Sequence, residues 1–302
     1  MAGLAACAVM VSACSGGAPK ADPAPGSSAA GSSVPGTPTG HGSVDVLYAG
    51  SLTHTMESAV GPAFHAATGY DLAGIAGGSS ALASEIAGGV RQADVFISAS
   101  PAVDAKLMGP HGKVSWYATF AHSPLVIGYD PHSRFAHDLE TNPWYQVMTE
   151  PGFRLGRTDP ALDPKGKLTV QVVDRASQHY GLPQLAAHIL GPPSSTAQLF
   201  PEEGLIGRLQ AGQLDAGFFY STETSAAHLP AIPINPAVDL SAHYTITIPA
   251  QPPHPEAAGA FVNFFLGPKG RSILAQGGLS VDQPVVTGNA SDVPAGVTVL
   301  GP

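Results

Sequence analysis

Val44-Asp45-Val46-Leu47-Tyr48, followed by Ala49-Gly50-Ser51-Leu52, is a short apolar strand run that closes in a small-residue turn and delivers a serine into a helix. The same construction returns at Leu72-Ala73-Gly74-Ile75-Ala76, followed by Gly77-Gly78-Ser79-Ser80. Each copy puts a hydroxyl and unpaired backbone N–H groups at a helix N-terminus, where the macrodipole amounts to roughly half a positive charge. Two such ends converging on one point make an anion site, with glycine permitting close approach of the backbone and serine adding a neutral donor. A serine in this position also serves as a plain helix cap, which is the competing reading of each copy taken alone.

Outward from these two copies the chain alternates strands and helices, which favours an α/β layer architecture. Leu52, Met56, Val60 and Phe64 recur at helical spacing, with Gly61-Pro62 as a break or kink, and Leu82, Ile86 and Val90 mark a second helix. Ala93 to Ser98 reads as a buried strand, and Ser100-Pro101 as a cap followed by proline in the first turn. Further strands are expected at 124–129, 152–156, 214–220 and 244–248. Further helices are marked by Leu168, Val172, Ala176 and Tyr180, by 202–211, and by 256–266 with Phe261, Phe264 and Phe265 as core.

The formal charge is −9, with 13 Lys and Arg, so a nucleic-acid partner is not expected and an anion site must work through local dipoles against the overall field. The 12 histidines show no zinc spacing and read as surface or supporting groups. Residues 1–14 are apolar and end in Val11-Ser12-Ala13-Cys14, a lipobox pattern that makes Cys14 the expected lipidation site of a signal segment. No Lys or Arg precedes the apolar run, which departs from the usual signal pattern. Residues 15–42 are almost all Ala, Gly, Pro, Ser and Thr and read as a disordered tether. Cys7 and Cys14 are the two cysteines, and Cys7 would leave with the signal, so no intramolecular disulfide is expected.

Tyr48 to Leu52, Gly78 to Leu82 and Ala93 to Ser100 resemble the molybdate/tungstate-binding proteins of ABC importers. Gly156-Arg157-Thr158-Asp159-Pro160, Asp163-Pro164-Lys165-Gly166, Leu209 to Asp215 and the region 254–277 continue the likeness in order. The resemblance implies a two-lobed periplasmic-binding-protein fold, type II-like, with two crossovers between lobes. Lobe 1 would be residues 43–121 plus 229–302, and lobe 2 residues 122–228. The implied protein is not an enzyme and has no cofactor; it is a monomer held to the outer face of the membrane by the lipid on Cys14. It captures molybdate or tungstate in the cleft and hands it to an ABC permease.

By the same resemblance Ser51 and Ser79 grip the oxygens of the anion, with Ser133 contributing through its backbone. Asp163 and Glu202 bond to the central Mo or W atom, with Glu203 an adjacent competitor for the second place. Sulfate and phosphate cannot expand their central atom, so a carboxylate pair facing the anion selects against them. Lys165 and Lys167-Leu168 depart from the family pattern, which leaves the coordination number open. As bland readings, Asp163 is a turn residue before proline and Glu202 a first-turn glutamate that favours the helix dipole. Asp94 and Asp215, at strand entries, read as structural, and Tyr220 as packing at a strand end. Two other functions compete: a receptor for another oxyanion such as sulfate or phosphate, and a secreted hydrolase using Asp163 and Glu202 as an acid/base pair. No GxSxG, SxxK or zinc signature supports the hydrolase.

Overall fold

β1 (Ser43–Ala49) is buried on both faces for most of its length, as expected of an apolar run at the centre of a parallel layer. It pairs in parallel with β2 (Asp71–Gly77) on one side and β3 (Val95–Ser98) on the other. In this computed structural model, which describes residues 40–109, 112–192 and 196–301, nine strands build one curled sheet. β4 (Trp116–Tyr129) joins its two halves. Trp116 to Pro124 pairs with β8 (Ser241–Thr247) and β9 (Ser280–Gly288), completing the first half. Leu125 to Tyr129 pairs with β6 (Ala216–Tyr220) and β7 (Ala231–Pro233), and β6 takes β5 (Leu155–Gly156) at its far edge.

The chain therefore passes from the first half to the second along β4 and returns after β7, through residues 234–240. That return lies beyond the expected 228–229, because the three-residue strand Ala231–Pro233 gives no readable pattern of its own. The strand expected at 124–129 is the second part of a strand of 14 residues, and β9, which contains Pro284, was not expected at all. The proline is tolerated because the β4–β9 register breaks between Thr119 and Ala121, so residues 282–284 make no ladder pairs.

Helices fall largely where periodicity puts them, but the second ends at Ala87, and Val90, expected on its buried face, lies beyond it and is 77% exposed because Gly88-Gly89 stops the helix. Leu52, Met56, Val60 and Phe64 are all buried on one continuous helical run, and a π turn at Met56–Val60 directly precedes Gly61-Pro62. Residues without an N–H at the right place are accommodated by such turns. Phe261 and Phe265, on the helix Pro255–Leu266, are buried against Phe64 and Phe120, while Phe264 is half-buried. The signal segment, Cys14 and most of the expected tether lie outside the described residues. Within 40–42, Gly40 N–H donates to Thr68 O at 2.9 Å and Gly42 O accepts from Asp71 N–H at 2.9 Å, so this end of the expected tether is docked beside β2. Among the described residues no helix is long and apolar enough to cross a membrane.

Candidate functional site

The in-register pairing of Ala49 with Gly77 sends the two serine turns off adjacent strands, side by side. Gly50–Leu52 forms a short 3-10 turn, and Gly78 leads in extended conformation into the helix Ser79–Ala87. Neither serine caps its own helix: Ser51 stands two residues inside the cap and Ser79 one, and no side-chain cap bond forms. The plain-cap reading therefore does not apply. Ser51 Oγ lies 3.0 Å from Tyr244 OH, and Ser79 Oγ, fully buried, accepts from Ala99 N–H at 3.1 Å. An accepting hydroxyl keeps its own hydrogen free to donate, and the first N–H groups of the helix Ser79–Ala87 have no intrahelical acceptor.

From the other half of the molecule come two carboxylates. Asp163 caps the helix Pro164–His179, its Oδ1 accepting from Thr158 Oγ1 at 2.8 Å, Lys165 N–H at 2.8 Å and Gly166 N–H at 3.3 Å. Its turn role is thus real, but it occupies one oxygen; Oδ2 is buried with no partner. Glu202 opens the helix Glu202–Gln210, and its Oε2 accepts from Gly50 N–H at 2.8 Å, reaching across to the first serine turn. Its Oε1 is likewise buried without a hydrogen bond. Burial and the neighbouring Asp163 carboxylate push the Glu202 carboxyl well above the usual range, with Lys165 opposing.

Behind the pair sits Lys165, fully buried, its Nζ 2.7 Å from Glu223 Oε1 and 3.5 Å from Glu202 Oε1. Burial pulls this ammonium down, but Glu223, Glu202 and Asp163 together outweigh it and raise the group above its ordinary value. Glu223 also accepts from Tyr220 N–H at 2.7 Å, and burial raises its carboxyl while Lys165 opposes. Burial likewise raises the phenols of Tyr220 and Tyr244, whose rings meet edge to face at 6.1 Å.

Among the described residues five buried side-chain atoms lack a hydrogen-bond partner: Asp163 Oδ2, Glu202 Oε1, Tyr220 OH, Thr222 Oγ1 and Asp104 Oδ1. Four of these belong to the strand ends and helix starts just described. Buried polar groups are almost always satisfied, so a concentration of orphans marks a place built to receive a polar guest. The two halves touch around it, through Gly50 to Glu202 and through Ala81 N–H donating to Leu162 O at 3.0 Å. Grooves of about 570, 400 and 440 Å³ ring the contact, lined in turn by Ala99 and Pro164, by Gly78 and Asp163, and by Ser51 and Glu202.

Ser51, Ser79, Asp163 and Glu202 are brought together, and of the two adjacent glutamates Glu202 is the buried one while Glu203 faces solvent. Ser133 is not among them. Its hydroxyl donates to Asp215 Oδ1 at 2.8 Å and its N–H to Asp130 O, beside the start of β6, whereas Tyr220 at the other end of β6 faces the cluster. Five residues of strand separate the two places, roughly 16 Å. Lys165, read in the sequence as a departure from the family pattern, belongs to the cluster, as do Glu223, Thr222 and Tyr244, which the sequence did not single out. The usable signal was that Phe219-Tyr220-Ser221-Thr222-Glu223 is a third strand-to-helix junction like the two serine turns. Asp94 and Asp215 are structural: Asp215 accepts from Arg154 and Ser133, and Asp94 from Asp45 N–H and His254 N–H, with His254 Nδ1 at 2.9 Å. Asp94 thus spends both oxygens tying Asp45 of β1 and His254, at the start of the helix Pro255–Leu266, to its own loop.

Residues 44–280 match the family described as bacterial extracellular solute-binding protein. A putative ABC transporter molybdenum-binding protein of Haloferax volcanii is 33% identical over 200 residues, 66% of this chain and 61% of that one. The molybdate/tungstate-binding protein of Thermococcus kodakarensis is 22% identical over 250 residues, 67% of this chain and 70% of its own length. Among solved structures, the periplasmic molybdate-binding protein of Azotobacter vinelandii superposes with a TM-score of 0.63 at 21% identity, covering 80% of this chain and all of that one.

Proposed function

Because this chain belongs to the bacterial extracellular solute-binding proteins, we propose that it captures molybdate or tungstate between the two halves of its sheet and passes the anion to an ABC importer. It is a binding protein and not an enzyme, and the anion is its cargo rather than a cofactor. The observation that carries the choice of ligand is the pair of buried carboxylate oxygens that receive no hydrogen bond, Asp163 Oδ2 and Glu202 Oε1, the second 3.5 Å from Lys165 Nζ. Carboxylates facing an oxyanion repel it unless its central atom accepts them as ligands, which Mo and W do and S and P do not. Ser51, Ser79 and the free N–H groups of the two turns then hold the oxygens, each charge-assisted bond recovering about 1.5–3 kcal/mol of the anion's desolvation.

In this reading the two halves of the sheet act as lobes that close over the anion, the usual motion of such folds. Ser133 is given no contact with it. Cys14 carries the lipid that keeps a monomer on the outer face of the membrane. Calorimetric titration should give submicromolar tungstate or molybdate binding with sulfate and phosphate much weaker. X-ray absorption at the tungsten edge of the loaded protein should report six-fold coordination, reduced in Asp163→Ala and Glu202→Ala. Sulfate binding as strong as tungstate would overturn the assignment and leave the alternative of a receptor for sulfate or phosphate, whereas four-fold coordination would remove the carboxylates from the metal and leave the hydrogen-bonding cage alone.

A further inference from the structure

Lys165 is the second residue of its helix, and what its backbone does there, donating an N–H to Asp163, requires no charge on the side chain. A buried ammonium is costly to desolvate, and a methionine of similar reach would fill the same space. Glu223 takes part of its charge: Glu223 Oε2 accepts from Tyr220 N–H and Oε1 from the ammonium. Nζ stands 2.7 Å from Glu223 and 3.5 Å from Glu202 Oε1, the atom offered to the ligand's metal centre. An ammonium has three donors, and Glu223 engages one of them. Among the described residues the other buried cation is Arg157, which donates to Gln198 Oε1 at 3.1 Å and Leu190 O at 3.3 Å and makes no ion pair with these carboxylates.

Among the described residues no other group of the cradle carries a positive charge, and its carboxylates repel a guest in proportion to the guest's charge. Hydroxyls and backbone N–H groups fit any tetrahedral oxyanion of the right size, and metal coordination by Asp163 and Glu202 requires only an expandable centre. Opposing three carboxylates, Lys165 is the one full positive charge of the cluster, and its attraction to a guest scales with the guest's charge. Resting on the proposed reading of the site, we infer that Lys165 sets the charge class of the ligand, favouring a dianion over a monoanion of the same shape and chemistry.

Perrhenate is the matching probe: a tetrahedral monoanion with a metal centre, against the dianion tungstate. In Lys165→Met, tungstate affinity should fall on the order of 100-fold and perrhenate affinity about 10-fold, because the lost attraction scales with the charge of the ligand. Lys165→Arg should keep the wild-type ratio. Should Lys165→Met fail to fold, Glu223→Gln decides, since it leaves the ammonium less neutralised and should raise the tungstate-to-perrhenate ratio. An equal fall for both anions, or an unchanged ratio in Glu223→Gln, overturns the inference and makes Lys165 a structural residue. Wild-type protein that binds neither tungstate nor molybdate fails the proposed function itself, a result distinct from tight binding with an unchanged ratio.

Discussion

Replacing Gly78 with alanine should weaken anion binding without harming the fold. At φ −61° and ψ 124° the position is one that any residue adopts, so alanine meets no backbone strain there. A Cβ at Gly78 would however stand 2.6 Å from Leu162 O and 3.2 Å from Asp163 Cβ, atoms of the opposite half. Carbon and oxygen rest near 3.4 Å apart, so the halves must part by roughly 0.8 Å at this point. That stretches the bond from Ala81 N–H to Leu162 O, now 3.0 Å, beyond hydrogen-bonding distance.

Losing that bond costs about 1 kcal/mol, and crowding a packed contact costs about 1–3 kcal/mol more. The sum of about 2–4 kcal/mol corresponds to a rise in Kd of roughly 30- to 1000-fold. Calorimetric titration with tungstate measures it, and thermal unfolding of the ligand-free protein should change little, because the halves separate without either losing its packing. Gly259→Ala is the control: a Cβ there meets nothing within 4 Å, and binding should be untouched. Tungstate affinity of Gly78→Ala within threefold of wild type would refute the claim that the halves close against each other at this turn.

Asp104, the orphan away from the cluster, is pushed up to about 7 by burial, with bonds from Thr245 and Ser98 opposing. Its folded value lies above its unfolded one, so its contribution to stability is full below pH 4 and is lost as pH rises through 7. Urea unfolding at pH 5 and pH 8 should show Asp104→Asn gaining about 3 kcal/mol relative to wild type over that interval, and a constant difference would show that the group is ionised throughout. Ser133→Ala should leave tungstate affinity unchanged while lowering stability by about 1–2 kcal/mol through the lost bond to Asp215; a tenfold loss of affinity would return this serine to the site.

Much of this molecule is visible in its sequence, for identifiable reasons. The serine turns are legible because a strand end, a glycine and a serine are all local, and the parallel pairing of β1 with β2 then puts them together. Asp163 and Glu202 are named by the family resemblance alone, and even that does not give the division of labour within Asp163, where Oδ1 caps a helix and Oδ2 is left for another partner. Lys165 shows the limit. A lysine after Asp-Pro reads as a solvated helix start, and nothing local tells that Glu202 and Glu223 arrive from distant stretches to bury it. Ser133 failed for the converse reason: its motif is local, but the length of β6 decides which end of the sheet it occupies. β7 and β9 were missed because three residues and a proline-bearing edge strand fall below what pattern can resolve.

β4 has a consequence for the order in which the molecule is made. Trp116 pairs with Gly288, Thr119 with Thr245 and Leu125 with Tyr220, so the strand common to both halves is among the first long elements to be synthesised and among the last to be completed. Pairings so distant along the chain are slow to form, because loop closure must precede any contact that rewards it. The first half cannot finish before β8 and β9 arrive, whereas the second finds all its strand partners within 125–233. A polypeptide with this wiring closes in two stages, its inserted half first and its outer half when nearly all of the chain has been delivered.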